Sequence, residues 1–350
     1  MSRRKPKAID LFSGCGGLSQ GLKDAGYSVV AAFELDPLAM STFAMNHRRT
    51  RRYLGDIRRF SASKVMADLG LKPGELDLLA GCPPCQGFSS LRTKNGGSRV
   101  VDPMNDLVFE IIRFAQAFRP RALMVENVPG LMRDARFAEM TNNLQRLGYA
   151  WSAEVLDAAD FGVPQRRTRM ILIAMKQGQP AFARPVMRRR TVAGAIRALP
   201  DPKRSRDPLH NHEASRAPHV QEIIRQIPKD GGSRGSLAPS KQLECHKRHD
   251  GFYDIYGRMS WSKPSPTITG GCVNPSKGRF LHPVSNRAIT LREAALLQGF
   301  PRKYKFDMSR GVYPAAQMIG NAFPPAFAAC HARVIRTASM CVGRRSPLDQ

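Results

Sequence analysis

Between residues 8 and 174, short apolar runs alternate with amphipathic stretches of helical length, so the period of the apolar positions switches repeatedly between two and about 3.6. The pattern predicts strands over 8–12, 28–33, 77–80, 122–125 and 170–175, and helices over 17–25, 37–46, 105–118 and 135–147. Such alternation is that of a doubly wound α/β fold, a parallel sheet wrapped by helices. The connection 86–103 is longer than a usual strand-to-helix loop and has no apolar period, the mark of a segment that is either functional or disordered. After Gln177 the chain fills with Pro, Arg, His and Ser, so a second, irregular domain is expected from about residue 184. Regular structure returns at 290–298, where Thr290 and Glu293 have the spacing of a capping box, and again at 325–336.

The chain has 350 residues, enough for one large domain and a smaller one, and no run of about eighteen apolar residues that would span a bilayer. A basic start followed by only a brief apolar stretch argues against a cleaved signal. Seven cysteines in so long a chain fit reduced thiols better than a disulfide framework. Net charge is +27, divided as +9 over residues 1–180 and +18 over residues 181–350. So large an excess points first to nucleic acid, then to an anionic membrane surface, with a merely solvated basic surface as the bland alternative.

Five segments could carry chemistry. Residues 10–19, Asp-Leu-Phe-Ser-Gly-Cys-Gly-Gly-Leu-Ser, begin as a strand and end as a helix. Gly14, Gly16 and Gly17 let the backbone approach a ligand, and the helix start offers free N–H groups. Glu34 closes the next strand, placed for ribose hydroxyls, and Asp56-Ile57 could hold an adenine edge. These features alone do not separate a nicotinamide dinucleotide from another adenosine cofactor, and glycine turns without ligands are common. Residues 81–90, Gly-Cys-Pro-Pro-Cys-Gln-Gly-Phe-Ser-Ser, follow a strand, so Cys85 falls near the same crevice. A nucleophile, a Cys82/Cys85 redox dithiol, and a zinc site completed by Cys245, His246 or His249 all remain open. Glu126 ends another strand; a carboxyl enclosed beside a base can donate a proton near neutral pH, whereas the plain alternative is an arginine pair. Arg167 and Arg169, at alternate positions, would face one way in an extended segment and bind phosphate or a carbonyl oxygen. Asn321 lies in what reads as a turn before the last helix.

In this order, the five segments together with residues 287–301 resemble the DNA cytosine-5 methyltransferases of bacterial restriction-modification type, over most of the chain. The Pro-Cys-Gln loop and the Leu-Gln-Gly-Phe-Pro segment are specific to that family; the glycine loop is shared with many S-adenosylmethionine enzymes. The resemblance implies a Rossmann-like S-adenosylmethionine-binding catalytic domain, residues 1–183 plus 314–350, and a target-recognition domain, residues 184–313. It implies Cys85 as the nucleophile, Glu126 at the cytosine N3 and amino edge, and Arg167 with Arg169 orienting the base and the loop. Phe12, Ser13, Gly14, Cys15, Gly16, Gly17, Glu34, Asp56, Ile57, Pro84, Leu107, Asn321 and Ala322 would contact the cofactor, and Gln86 and Ser89 the DNA. No metal is implied. The 86–103 loop would be a lid hinged at Gly96-Gly97. Met104, where Arg is more usual, and Phe323, where Val is, depart from the pattern.

The implied partner is double-stranded DNA, with a cognate restriction endonuclease acting separately, for a monomer in the cytoplasm beside the nucleoid. The same chemistry on transfer RNA, a DNA-binding regulator without catalysis and a nicotinamide-dependent oxidoreductase are the rivals. The segment around Trp261 reads either as a buttressing strand pair or as a base contact.

Overall fold

The computed structural model describes residues 4–84, 106–212, 216–237 and 254–342. The chain forms two compact units: Met1–Phe161 with Thr168–Pro185 and Phe323–Gln350, and Gly162–Arg167 with Val186–Ala322. Expected boundaries fell at 183/184 and 313/314; by compactness the divisions lie at 185/186 and 322/323, and the short stretch 162–167 joins the second unit.

In the first unit the chain runs β1 (Lys7–Leu11), α1 (Gly17–Asp24), β2 (Ser28–Glu34), α2 (Pro37–Asn46), β3 (Arg51–Leu54), α3 (Ala62–Asp68) and β4 (Leu78–Gly81). It continues with α4 (Val108–Phe118), β5 (Ala122–Asn127), α5 (Ala135–Arg146), β6 (Ala150–Asp157) and β7 (Thr168–Met175). The sheet order is β3-β2-β1-β4-β5-β7-β6. Strands β1 to β5 pair in parallel, but β7 runs antiparallel to both β5 and β6. The sheet is therefore mixed rather than all parallel, because β6 and β7 are successive antiparallel neighbours that need no crossover helix.

Alternation along the strands decides which helix covers which face. Ile9, Leu11, Ala31, Phe33, Leu79, Leu123 and Leu172 join Val65, Ile111, Phe114 and Phe137 from α3, α4 and α5 in one buried cluster. Residues one step out of phase point the other way: Ala32 packs on Met40 and Phe43 of α2, and Asp10 accepts a hydrogen bond from Ser19 of α1.

The second unit is irregular and carries four helices among its described residues, α6 (Val192–Ile196), α7 (Pro218–Gln226), α8 (Leu291–Leu297) and α9 (Val312–Asn321). The final helix, α10 (Pro325–Val342), returns to the first unit, where Gly21 of α1 lies so near it that a Cβ would sit 2.5 Å from Pro325 O and from the Ala328 Cβ. In the second unit Ile224, Ile227, Leu237, Tyr256 and Leu281 form a small core beside the fully buried Arg258. All five guanidinium N–H groups of Arg258 are used: Ile227 O at 3.0 Å, Ile224 O at 2.8 Å, His282 O at 3.1 Å, Ser285 O at 2.6 Å and Asn286 Oδ1 at 2.7 Å. Two of those acceptors are carbonyls at the C-terminal end of α7, where the helix dipole favours a cation. The expected capping box at Thr290 and Glu293 is present. Among the described residues no strand pair surrounds Trp261; its ring carries the Arg197 guanidinium at 4.8 Å and meets His282 edge to face. Among the described residues no helix is long and apolar enough to cross a membrane.

Candidate active site

The chain leaves β1 towards β2 and β3 and then crosses back to place β4 on the other side of β1. At such a switch point the loops after adjacent strands diverge, and the crevice between them is where ligands of open α/β sheets bind. Leaving β1, the backbone turns sharply: Phe12 has φ 63°, an uncommon conformation for a residue with a Cβ, costing about 1–3 kcal/mol. Ser13 N–H then donates to Phe33 O at 2.8 Å, and Gly14 N–H to the Glu34 carboxylate at 2.7 Å. Gly16, at φ 98°, starts α1 without a side-chain cap. Glu34 also receives the N–H groups of Leu35 and Asp36, both at 2.9 Å, yet burial wins and raises its carboxyl above the usual range. Burial likewise pushes the Cys15 thiol up to about 12, so it is no nucleophile near neutral pH.

From the end of β3, Gly55 N–H donates to Glu34 O at 2.9 Å, which sets the next turn beside the glycine loop. Asp56 caps that turn, accepting from Arg58 N–H at 3.0 Å and pairing with the Arg58 guanidinium at 2.6 Å; the Arg58 hydrogen bond holds its carboxyl down at about 2. Ile57 is buried. Leu107, the N-cap residue of α4, is buried as well, and Pro84 is partly so.

β4 and β5 pair with Gly81 opposite Val125, so the segment after β4 and Glu126 emerge side by side. Cys82 N–H donates to Leu11 O, and Asn127 Nδ2 donates to Pro83 O, each at 3.2 Å. Asn127 thus anchors the strand-to-loop junction; it sits inside the Glu-Asn-Val-Pro motif, but sequence reasoning gave it no role. Glu126 is buried and pairs with Arg169 Nε at 2.9 Å, β7 being the antiparallel neighbour of β5. Cys85, Gln86, Ser89 and the 86–103 loop lie outside the described residues, as do Cys245, His246 and His249.

β7 begins at Thr168, so Arg169 lies within the strand and Arg167 just before it. Arg167 belongs to the second unit, where its buried guanidinium donates to Gly320 O at 3.0 Å and Ile268 O at 3.3 Å. Beside it Gln165 bonds Gln298, accepts from Ile268 N–H at 2.8 Å, and Gln298 donates to Ala322 O at 2.6 Å. One buried network therefore ties the Gln-Arg-Arg, Leu-Gln-Gly-Phe and Gly-Asn-Ala segments, which explains why those residue types occur together in the sequence. Gln317 to Asn321 is the end of α9 rather than a turn, with Asn321 exposed and Ala322 buried just after it.

The residues present fit an adenosyl amino acid. Ser13 Oγ is buried with no partner among the described residues, the α1 N–H groups lack a side-chain cap, and Glu34 offers carboxylate lone pairs at the strand end. A mixed seven-stranded sheet with this loop at its switch point is the arrangement expected of an S-adenosylmethionine-dependent α/β methyltransferase. The model of C-5 cytosine-specific DNA methylases matches residues 6–336. The chain belongs to that family. It is 34% identical over 343 residues to the Type II methylase M.HgiDII of Herpetosiphon aurantiacus, with 94% of each chain covered. It is 32% identical to the Type II methyltransferase M1.HphI of Haemophilus parahaemolyticus, covering 93% of this chain and 86% of the relative. In fold it is similar to a putative DNA modification methyltransferase encoded within a prophage of E. coli, with TM-score 0.73 and 24% identity over 95% of this chain and 99% of that one. The reaction is methylation of cytosine C5 in DNA, with S-adenosylmethionine as the donor.

Proposed function

We propose that the chain methylates cytosine within a specific duplex sequence, on a base turned out of the stack, through a covalent bond between Cys85 and C6. C5 of cytosine is a weak nucleophile while the ring is aromatic. Addition of the Cys85 thiolate to C6 places an electron pair at C5, with Glu126 binding the N3 and amino edge and supplying a hydrogen bond or proton there. Arg169, paired with Glu126 at 2.9 Å, keeps that carboxylate aimed. Bound S-adenosylmethionine supplies an electrophilic methyl on sulfur; Phe12, Ser13, Gly14, Cys15, Gly16, Gly17, Glu34, Asp56, Ile57, Pro84, Leu107, Asn321 and Ala322 would hold it. Loss of the C5 proton then expels the thiolate and frees the product. Unstacking and unpairing the target costs roughly a few kcal/mol, to be met by contacts with the displaced strands and the enclosed base.

The observation that carries this reading is the parallel β4–β5 pairing, Gly81 opposite Val125. It supports a common site because the loop leading to Cys85 and the Glu126 carboxyl leave the sheet as neighbours. Residues 184–313 would read the recognition sequence, with phosphate contacts making binding steeply salt-dependent and base-edge contacts fixing the site. A separate cognate restriction endonuclease, a monomeric state and a cytoplasmic, nucleoid-associated location complete the proposal. Bisulfite mapping of DNA from cells producing the protein gives the test: one short sequence methylated at cytosine is the expected result. Methyl transfer to transfer RNA with none to duplex DNA would overturn the substrate.

A further inference from the structure

The turn after β3 depends on a side chain that the site described above does not include. It contains only a three-residue 3₁₀ helix, Ile57–Arg59, closed by Arg59 N–H to Asp56 O at 3.0 Å and Phe60 N–H to Ile57 O at 3.2 Å. So short a helix has poor hydrogen-bond geometry, and Ile57 O, which already accepts Phe60 N–H, and Phe60 O just past its end can each take a further donor. Arg113 of α4 supplies one to each. Its Nη2 donates to Ile57 O at 2.9 Å and its Nη1 to Phe60 O at 2.8 Å, while Glu110 holds the guanidinium from behind, with Nε at 2.8 Å. The guanidinium also lies 4.9 Å from the Phe114 ring centroid, and Phe60 seats its ring against Phe33 and Tyr53. The fork is thus oriented on its far side and presents two donors to one turn, a geometry that the single ammonium of lysine cannot reproduce.

We propose that Arg113 is a positioning residue for the cofactor, holding the Asp56–Ile57 turn in the shape that receives the adenosine end of S-adenosylmethionine. This rests on the reading that the turn contacts the cofactor, so the experiment separates the two. Steady-state kcat and KM for S-adenosylmethionine, with S-adenosylhomocysteine affinity by calorimetry, are measured for Arg113→Gln, Arg113→Lys, Glu110→Gln and Ile57→Ala. Loss of two hydrogen bonds from a charged donor predicts a KM about tenfold higher for Arg113→Gln, with kcat within about twofold of the parent. Arg113→Lys, able to reach one carbonyl, falls between them, and Glu110→Gln, which frees the fork, raises KM about threefold. Added ethylguanidinium should lower the raised KM of Arg113→Gln.

If Ile57→Ala raises KM and Arg113→Gln does not, the positioning role is wrong while the turn remains a cofactor contact. If Ile57→Ala leaves KM and affinity unchanged, the turn is no cofactor contact and the proposal fails with it. A fall in kcat and melting temperature with KM unchanged would reduce Arg113 to a structural part and overturn the role. Should Arg113→Gln not fold, Glu110→Gln decides, and an unchanged KM there counts against the proposal.

Discussion

The substitution Asp10→Asn should change how the stability of the protein depends on pH. Asp10 is fully buried on β1; Oδ2 accepts from Ser19 Oγ at 2.6 Å, and Oδ1 has no partner among the described residues. Burial, aided by the neighbouring Glu34 charge and opposed by Ser19, raises its carboxyl from 3.8 to about 7. Below the unfolded value both states hold the proton and the contribution is fully present. Between that value and about 7 the native state keeps a proton that the unfolded chain has released, so stability falls as pH rises and levels off above 7. About three units at 1.36 kcal/mol each give a loss of roughly 4 kcal/mol across the window. The amide introduced by Asp10→Asn cannot ionise; its N–H without an acceptor costs ~1–3 kcal/mol, but at every pH. Urea unfolding of both proteins from pH 4 to 8 at fixed ionic strength isolates the effect, because groups such as Asp56 and His47, whose values are lowered, contribute equally to both curves. Parent stability minus variant stability should drop by roughly 4 kcal/mol from pH 4 to pH 8. Parallel curves would refute the claim that this carboxyl is held protonated by burial.

Two further substitutions probe the scaffold and the site. Arg258→Met should destabilise the second unit by about 3–5 kcal/mol, since it strands the carbonyls of Ile224, Ile227, His282 and Ser285; Trp261 fluorescence during urea unfolding would report it, and a loss below ~1 kcal/mol would show that water replaces the guanidinium. Arg169→Gln should lower kcat for methyl transfer by about one to two orders of magnitude with little change in S-adenosylmethionine KM, because it removes the partner of Glu126 and not a cofactor contact; an unchanged kcat would make the pair incidental.

Much of this architecture could be read in the sequence because local pattern and tertiary burial agree there. Pro37–Asn46 forms as expected, with Asp36 as its cap and Pro37 in its first turn, and the Thr290 capping box needed only its own spacing. β6 escapes a periodicity argument because Ala150–Asp157 is an edge strand with no fully buried residue on either face, so its apolar alternation is weak. β3 and α3 are short and carry Arg, Ser and Lys, which hides them from a periodicity argument. The reversal of β7 was invisible because a buried strand reads the same in either direction. In the site, glycines and strand-end carboxylates announced themselves by type. Arg113, Asn127 and the particular partners of Arg167 and Arg169 did not, since each depends on which backbone carbonyl or carboxylate happens to lie opposite in space.

The proposed reaction requires one thiol to add to the pyrimidine during turnover. Duplex DNA carrying 5-fluorocytosine at the mapped target base blocks the final elimination, since fluorine cannot leave as a proton does. Incubation with S-adenosylmethionine, digestion and mass spectrometry should reveal a methylated, fluorinated nucleotide attached to the peptide containing Cys85, and none in Cys85→Ser. A Cys85→Ser protein that still methylates DNA, or an adduct on another residue, would contradict the account.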